Sequence, residues 1–142
     1  MAKSTPEIRI ANNKKYILCV IRKKWIVLTP EEKVRQYILQ QLIYEQHYPQ
    51  KYISVEKTLK VNELSKRYDI VVFNQSLEPK ILIECKAEFI EIKEKTLQQI
   101  ATYNLKLNVP FLMVTNGKNS YRFEIRENIS EQIFSFPVFE LL

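Results

Sequence analysis

Asp69 and the tripeptide Glu84-Cys85-Lys86 are the residues whose types and spacing could do chemistry. They fall in two apolar stretches, Tyr68 to Phe73 and Lys80 to Ala87, that read as adjacent buried strands. Side chains alternate along a strand, so Glu84 and Lys86 project from one face while Cys85 points to the other. Ile81-Leu82-Ile83 before them and Ala87 after them predict burial, and a buried charged pair without a partner or a role is costly. With Asp69 delivered by the neighbouring strand, two carboxylates can converge on a hard divalent cation, for which oxygen is the preferred ligand; Mg²⁺ is the natural choice and Mn²⁺ a substitute. Such an ion polarises a phosphate oxygen and acidifies a coordinated water, while the Lys86 ammonium orients that water or stabilises charge developing on the phosphate. That chemistry is phosphodiester hydrolysis. The same residues also read as a solvated sheet face carrying a cross-strand ion pair.

A helix must bring further polar groups to this place. Thr29-Pro30-Glu31-Glu32 has threonine as N-cap, proline at the first helical position and a glutamate three residues after the cap, and the helix is predicted to run to about Gln46, where His47-Tyr48-Pro49 stops it. At about 100° per residue, Val34, Ile38, Leu39, Leu42 and Ile43 mark a core-facing sector. Glu31, Glu32 and Arg35 fall within that sector, and Lys33, Gln36, Gln40 and Gln41 on the other side. Glu32 therefore reads either as an acid reaching a metal or its waters, or as the second half of a capping box. Arg35 reads as a group for a phosphate or for one of the carboxylates, or as its neighbour's ion pair.

Around these, Tyr16 to Ile21, Trp25 to Leu28 and Lys51 to Thr58 are predicted strands, and Lys93 to Asn108 a second amphipathic helix. Phe111 to Thr115 is another buried strand, Asn116-Gly117 a hairpin turn and Tyr121 to Arg126 the return strand, with Ile133 to Leu142 as a possible edge strand. The order predicts an α/β fold, a mixed sheet covered by helices, in one compact unit over residues 1–142.

Composition narrows the function. Hydrophobic residues make up 46% and charged ones 27% of the 142, the balance of a globular protein rather than a disordered one. A single glycine, Gly117, excludes the glycine-rich loops of Rossmann and P-loop nucleotide sites. The net charge of +6 favours an anionic partner. Cys19 and Cys85 each sit in an apolar run, which suits buried reduced thiols, and with no signal-like or membrane-spanning stretch the expected location is the cytoplasm. His47, the lone histidine, reads as a helix-end residue and not a general base.

The segments Arg22 to Gln36, Arg67-Tyr68-Asp69 to Phe73, Ile83-Glu84-Cys85-Lys86-Ala87, Gln99 to Asn104 and Val114 to Gly117, in this order, resemble the nuclease domain at the N-terminus of type I restriction enzyme R subunits, within the PD-(D/E)XK nuclease superfamily. The resemblance implies a restriction-endonuclease-like α/β/α sandwich and Mg²⁺-dependent DNA cleavage. It further implies metal ligands at Asp69 and Glu84, a catalytic lysine at Lys86 and an auxiliary acid at Glu32. Gln99 and Tyr103 match a QxxxY element of related nucleases; on the helix they lie largely opposite Leu97, Ala101, Asn104 and Leu105, which predicts contact with substrate more readily than core packing. Arg67 has the strand parity of Asp69 and either leans toward the site, as Arg35 does, to meet substrate, or forms a surface ion pair. Tyr68 stands where the superfamily's proline would be, and nothing after Gly117 encodes the R subunit's motor, so ATP-driven restriction does not carry over. A homodimer is compatible with two cuts in a duplex, as is a place in a larger restriction or repair assembly. The alternative is a nucleic-acid-binding or assembly module that keeps the fold without cleaving.

Overall fold

The computed structural model describes residues 5–142. Among them, nine strands and two α-helices follow in the order β1 (Ile8–Ala11), β2 (Lys14–Cys19), β3 (Lys24–Val27), α1 (Pro30–Gln40), β4 (Ile53–Val61), β5 (Leu64–Phe73), β6 (Pro79–Cys85), α2 (Glu94–Leu105), β7 (Phe111–Thr115), β8 (Ser120–Arg126) and β9 (Ile129–Ile133). Strands β4 to β9 form one six-stranded sheet in sequence order. Every neighbouring pair is antiparallel except β6 and β7, which are parallel because α2 carries the chain back between them. Strands β1 to β3 make a separate antiparallel sheet.

Alternation along the strands divides the core in two. Ile70, Val72, Ile81, Ile83, Cys85 and Met113 pack with Val34, Ile38 and Leu39 of α1. Val71, Leu82 and Leu112 pack with Ala101 of α2. The central sheet is thus mixed, with one helix on each face, as an α/β sandwich requires. Helix α1 begins as its sequence demands, with Thr29 Oγ1 accepting from the Glu32 N–H at 3.1 Å and Pro30 at the first position. A π-helical turn, Gln41–Glu45, prolongs it, and His47, at φ +59, breaks it off. No helix among the described residues is long and apolar enough to cross a membrane.

Three expectations are corrected. The edge strand is Ile129–Ile133, paired with β8, and not the stretch Ile133 to Leu142. That last stretch holds Pro137, which has no N–H to donate, and it turns inward so that Phe136 and Phe139 are buried, the latter stacked on Tyr52 at 5.0 Å. Strand β5 begins at Leu64 rather than Tyr68, forming a long hairpin with β4 through Asn62-Glu63. Gln36 and Gln40, assigned to the solvated side of α1, are buried, because the segment after β2 lies over that side and the Val20 N–H donates to Gln36 Oε1 at 3.4 Å.

Left-handed backbone is needed at many turns of a chain with one glycine. Gly117 takes φ +88 in the β7–β8 hairpin, and Asn12, Asn13, Asn62, Asn108 and Asn128 take positive φ elsewhere. Asparagine tolerates this region better than other residues that carry a Cβ.

Tyr48 ties the end of α1 to the C-terminal stretch by donating to the Pro137 carbonyl at 2.6 Å. Burial pushes its phenol up to about 12. A raised folded-state value means that this contribution to stability is intact below the ordinary tyrosine value of about 10 and is lost as pH climbs toward 12, since the unfolded chain sheds the proton first. Urea denaturation across that window is expected to show the alkaline decline shallower in Tyr48→Phe than in the parent protein.

Candidate active site

Asp69 and Glu84 lie where the central sheet splits. Strands β5 and β6 are paired from Phe73↔Pro79 to Ile70↔Ile83 and then part. Beyond that point β5 stays with β4 as far as Leu64, while β6 stays with β7 as far as Cys85↔Thr115. Asp69 and Glu84 are the next residues on the two diverging strands. With no ladder partner on β5, the Cys85 N–H donates to Asp69 Oδ2 at 2.7 Å, which seats this carboxylate in the mouth of the fork. The Lys86 N–H follows β7, donating to the Thr115 carbonyl at 2.8 Å.

Alternation breaks at Asp69. Ile70 and Val72 face α1, but Tyr68 joins Val71 in the core beneath α2. Across from it on β4, between the pairs Val55↔Ile70 and Lys57↔Tyr68, Glu56 adopts φ +54, a left-handed conformation rare for a residue with a long side chain. Such strain collects at functional sites. Its local effect is to let Asp69 turn toward α1 next to Ile70.

On that side an ion-pair network holds Asp69. Arg35 donates from Nη2 to Asp69 Oδ1 at 2.8 Å and from Nη1 to Glu32 Oε1 at 2.6 Å. Arg22 and Gln36 each donate to Glu32 Oε2 at 2.9 Å, and Arg22 also reaches Glu56 at 3.3 Å. Burial alone would lower the Arg35 guanidinium, but the Asp69 and Glu32 carboxylates outweigh it and hold the group above its ordinary value. One expectation is revised here. Glu32 is buried with both oxygens committed to nitrogen donors, so it is an anchor of cations in this arrangement rather than an open metal ligand. Arg35 is equally buried and bound to carboxylates, in line with the reading of it as a partner of one of the acids.

Glu84 points the other way, toward α2, because Ile83 and Cys85 on either side of it belong to the α1 core. Its carboxylate pairs with the ammonium of Lys66. That ammonium lies 5.0 Å over the Tyr68 ring and 5.3 Å over the Tyr103 ring. Tyr68 donates its hydroxyl to Asn104 Oδ1, fastening β5 to α2, and burial first, then the Glu84 charge, push its phenol up. Tyr103 is half-buried against the α2 core, which corrects the expectation that it stands clear of it; Gln99 is exposed, as is Arg67. Lys86 is half-buried, with no carboxylate partner among the described residues. Cys85 is buried and points away from Glu84, and burial pushes its thiol well up, so it stays protonated.

Asp69 and Glu84 thus flank the fork on opposite sides of the sheet, Asp69 toward α1 and Glu84 toward α2, each neutralised by a cation. No three acidic, cysteine or histidine side chains among the described residues are gathered closely enough to hold an ion between them. Lys66, Arg22 and Glu56 were not singled out in the sequence. Lys66 shares the strand parity of Tyr68, a signal open to any reading that starts β5 early enough, whereas Glu56 had none.

A cleft lined by Glu31, Glu32, Arg35, Glu56, Ala87 and Phe89 opens at the N-terminus of α1. Another, between α2 and β8, is lined by Leu97, Ala101, Tyr121 and Phe123 and holds none of the residues singled out. Comparison with curated proteins found no match. The family model of the type I restriction enzyme R protein N terminus matches residues 30–137, from the first residue of α1 to the proline that holds Tyr48, and the chain belongs to that family.

Proposed function

We propose that this domain hydrolyses phosphodiester bonds in DNA at the β5–β6 fork, with Mg²⁺ or Mn²⁺ held by Asp69 and Glu84. The observation that carries this reading is the fork itself. Two carboxylates stand where neighbouring strands part, at the C-terminal end of the parallel pair β6 and β7, the position at which open α/β sheets bind ligands. The donor set suits a hard cation in kind, being carboxylate oxygen. When bound, the ion would supply Lewis-acid polarisation of a phosphate oxygen and a more acidic water.

The chain's own residues do the rest. The Cys85 N–H and Arg35 fix the Asp69 carboxylate in the mouth of the fork. Glu32 acts as the anchor that keeps Arg35 and Arg22 in place. Lys86, one residue past β6 and without a carboxylate partner among the described residues, is the cation available to orient the attacking water or to meet charge on the phosphate. Arg67 and Gln99 are exposed and suited to contacting the nucleic acid, to which the net charge of +6 contributes attraction. The family name points to work within a larger restriction assembly.

A second reading, a DNA-binding module that does not cleave, is favoured by one observation: both candidate ligands are ion-paired. Supercoiled plasmid incubated with the chain separates the two. Conversion to open-circular or linear forms with Mg²⁺ or Mn²⁺, abolished by chelation, is the expected result. Salt-sensitive plasmid binding with no metal-dependent nicking would overturn the hydrolase reading and leave the binding module.

A further inference from the structure

We infer that Lys66 is a built-in competitor for the metal position on Glu84, so that a divalent cation enters the fork by exchange with the lysine ammonium. The inference rests on the proposed metal site and deepens it. Glu84 is 8% exposed, and Lys66 is the cation paired with its carboxylate. The ammonium is held on one side by that carboxylate and on others by the faces of Tyr68 and Tyr103, a cage that satisfies a cation without a metal.

The two nitrogen cations at the fork differ in their freedom. The Arg35 side chain is 7% exposed and is gripped by Glu32 as well as Asp69. Withdrawing it would take a partner from buried Glu32 and from half-buried Asp69, which is strongly unfavourable. The Lys66 side chain is 30% exposed, and its backbone lies on the part of β5 that has left β6 and is paired with β4. A flexible four-carbon stem can swing its ammonium from Glu84 into water at little cost to packing. Of the two candidate ligands, Glu84 is therefore the one whose cation can be exchanged. Occupation by a like-signed group also explains how a nearly buried carboxylate is tolerated before any metal arrives.

The consequence is arithmetical. If Lys66 holds Glu84 about nine times in ten, the apparent affinity for the ion is about tenfold weaker than that of the bare site. Calorimetric titration of the whole chain with Mn²⁺ alone, without nucleic acid, tests this. Lys66→Met is expected to tighten Mn²⁺ binding about tenfold. Lys66→Gln, the second neutral variant should the first fail to fold by circular dichroism, is expected to tighten it likewise. Lys66→Arg, which keeps the charge, is expected to bind no tighter than the parent, and Glu84→Gln to abolish binding with or without Lys66. Equal or weaker affinity in the neutral variants, with Mn²⁺ bound by the parent, would overturn the competition alone. Absence of Mn²⁺ binding in both the parent and the neutral variants would overturn the metal site and the competition together.

Discussion

Arg35→Met is expected to cost about 3–5 kcal/mol of folding free energy, the loss seen when one partner of a buried ion pair is removed. The change keeps most of the side chain's apolar bulk and deletes only the guanidinium. Glu32, 6% exposed, and Asp69, 20% exposed, would then keep their charges without the group that neutralises both. Against a typical total of about 5–15 kcal/mol, this is a large share of what a domain of this size has. Urea denaturation measures it directly. Arg22→Met should be milder, because Arg22 is more exposed and Glu32 would retain Arg35 and Gln36. Adding Asp69→Asn to Arg35→Met should recover part of the loss, with a coupling of about 0.5–3 kcal/mol, since it removes a stranded charge. A loss under about 1 kcal/mol for Arg35→Met would mean that the network is solvated and does not hold the fork.

What was legible in the sequence follows from which interactions are local. The run Ile81-Leu82-Ile83, buried on both faces, and the cap Thr29-Pro30-Glu31-Glu32 are short-range signals, and both elements formed where these residues stand. The hairpins at Asn12-Asn13, Asn62-Glu63 and Glu127-Asn128 were missed because they lack glycine, although asparagine at a left-handed position is itself a turn signal. Strand parity located Glu84 and Cys85 correctly on opposite faces but gave no face for Asp69, where alternation is broken opposite Glu56. That break depends on β4, distant in sequence from β6, and on the pull of Arg35 from α1. The burial of Gln36 likewise depends on the segment after β2, which no periodicity within α1 can report. The acids of the site were therefore readable as types and positions, while their partners were decided by tertiary neighbours.

Lys86→Ala is expected to lower metal-dependent plasmid cleavage by about 10²–10⁴-fold while leaving stability and Mn²⁺ binding near those of the parent. The separation of effects comes from position. Lys86 is anchored through its backbone N–H to Thr115, which the substitution leaves intact, and its side chain has no ion pair among the described residues to lose. A half-buried stem truncated without a lost partner falls among substitutions that shift stability by about 0.5 kcal/mol. Asp69→Asn would be a poorer probe of the same chemistry. It removes a candidate ligand and also the charge that compensates buried Arg35, so lost cleavage would mix a chemical with a structural effect. Cleavage assays of Lys86→Ala, read beside its melting temperature and its Mn²⁺ titration, isolate the chemical role. Full-rate cleavage by Lys86→Ala would remove the lysine from the site, and with it the reason for reading the C-terminal end of β6 as the place where the phosphate reacts.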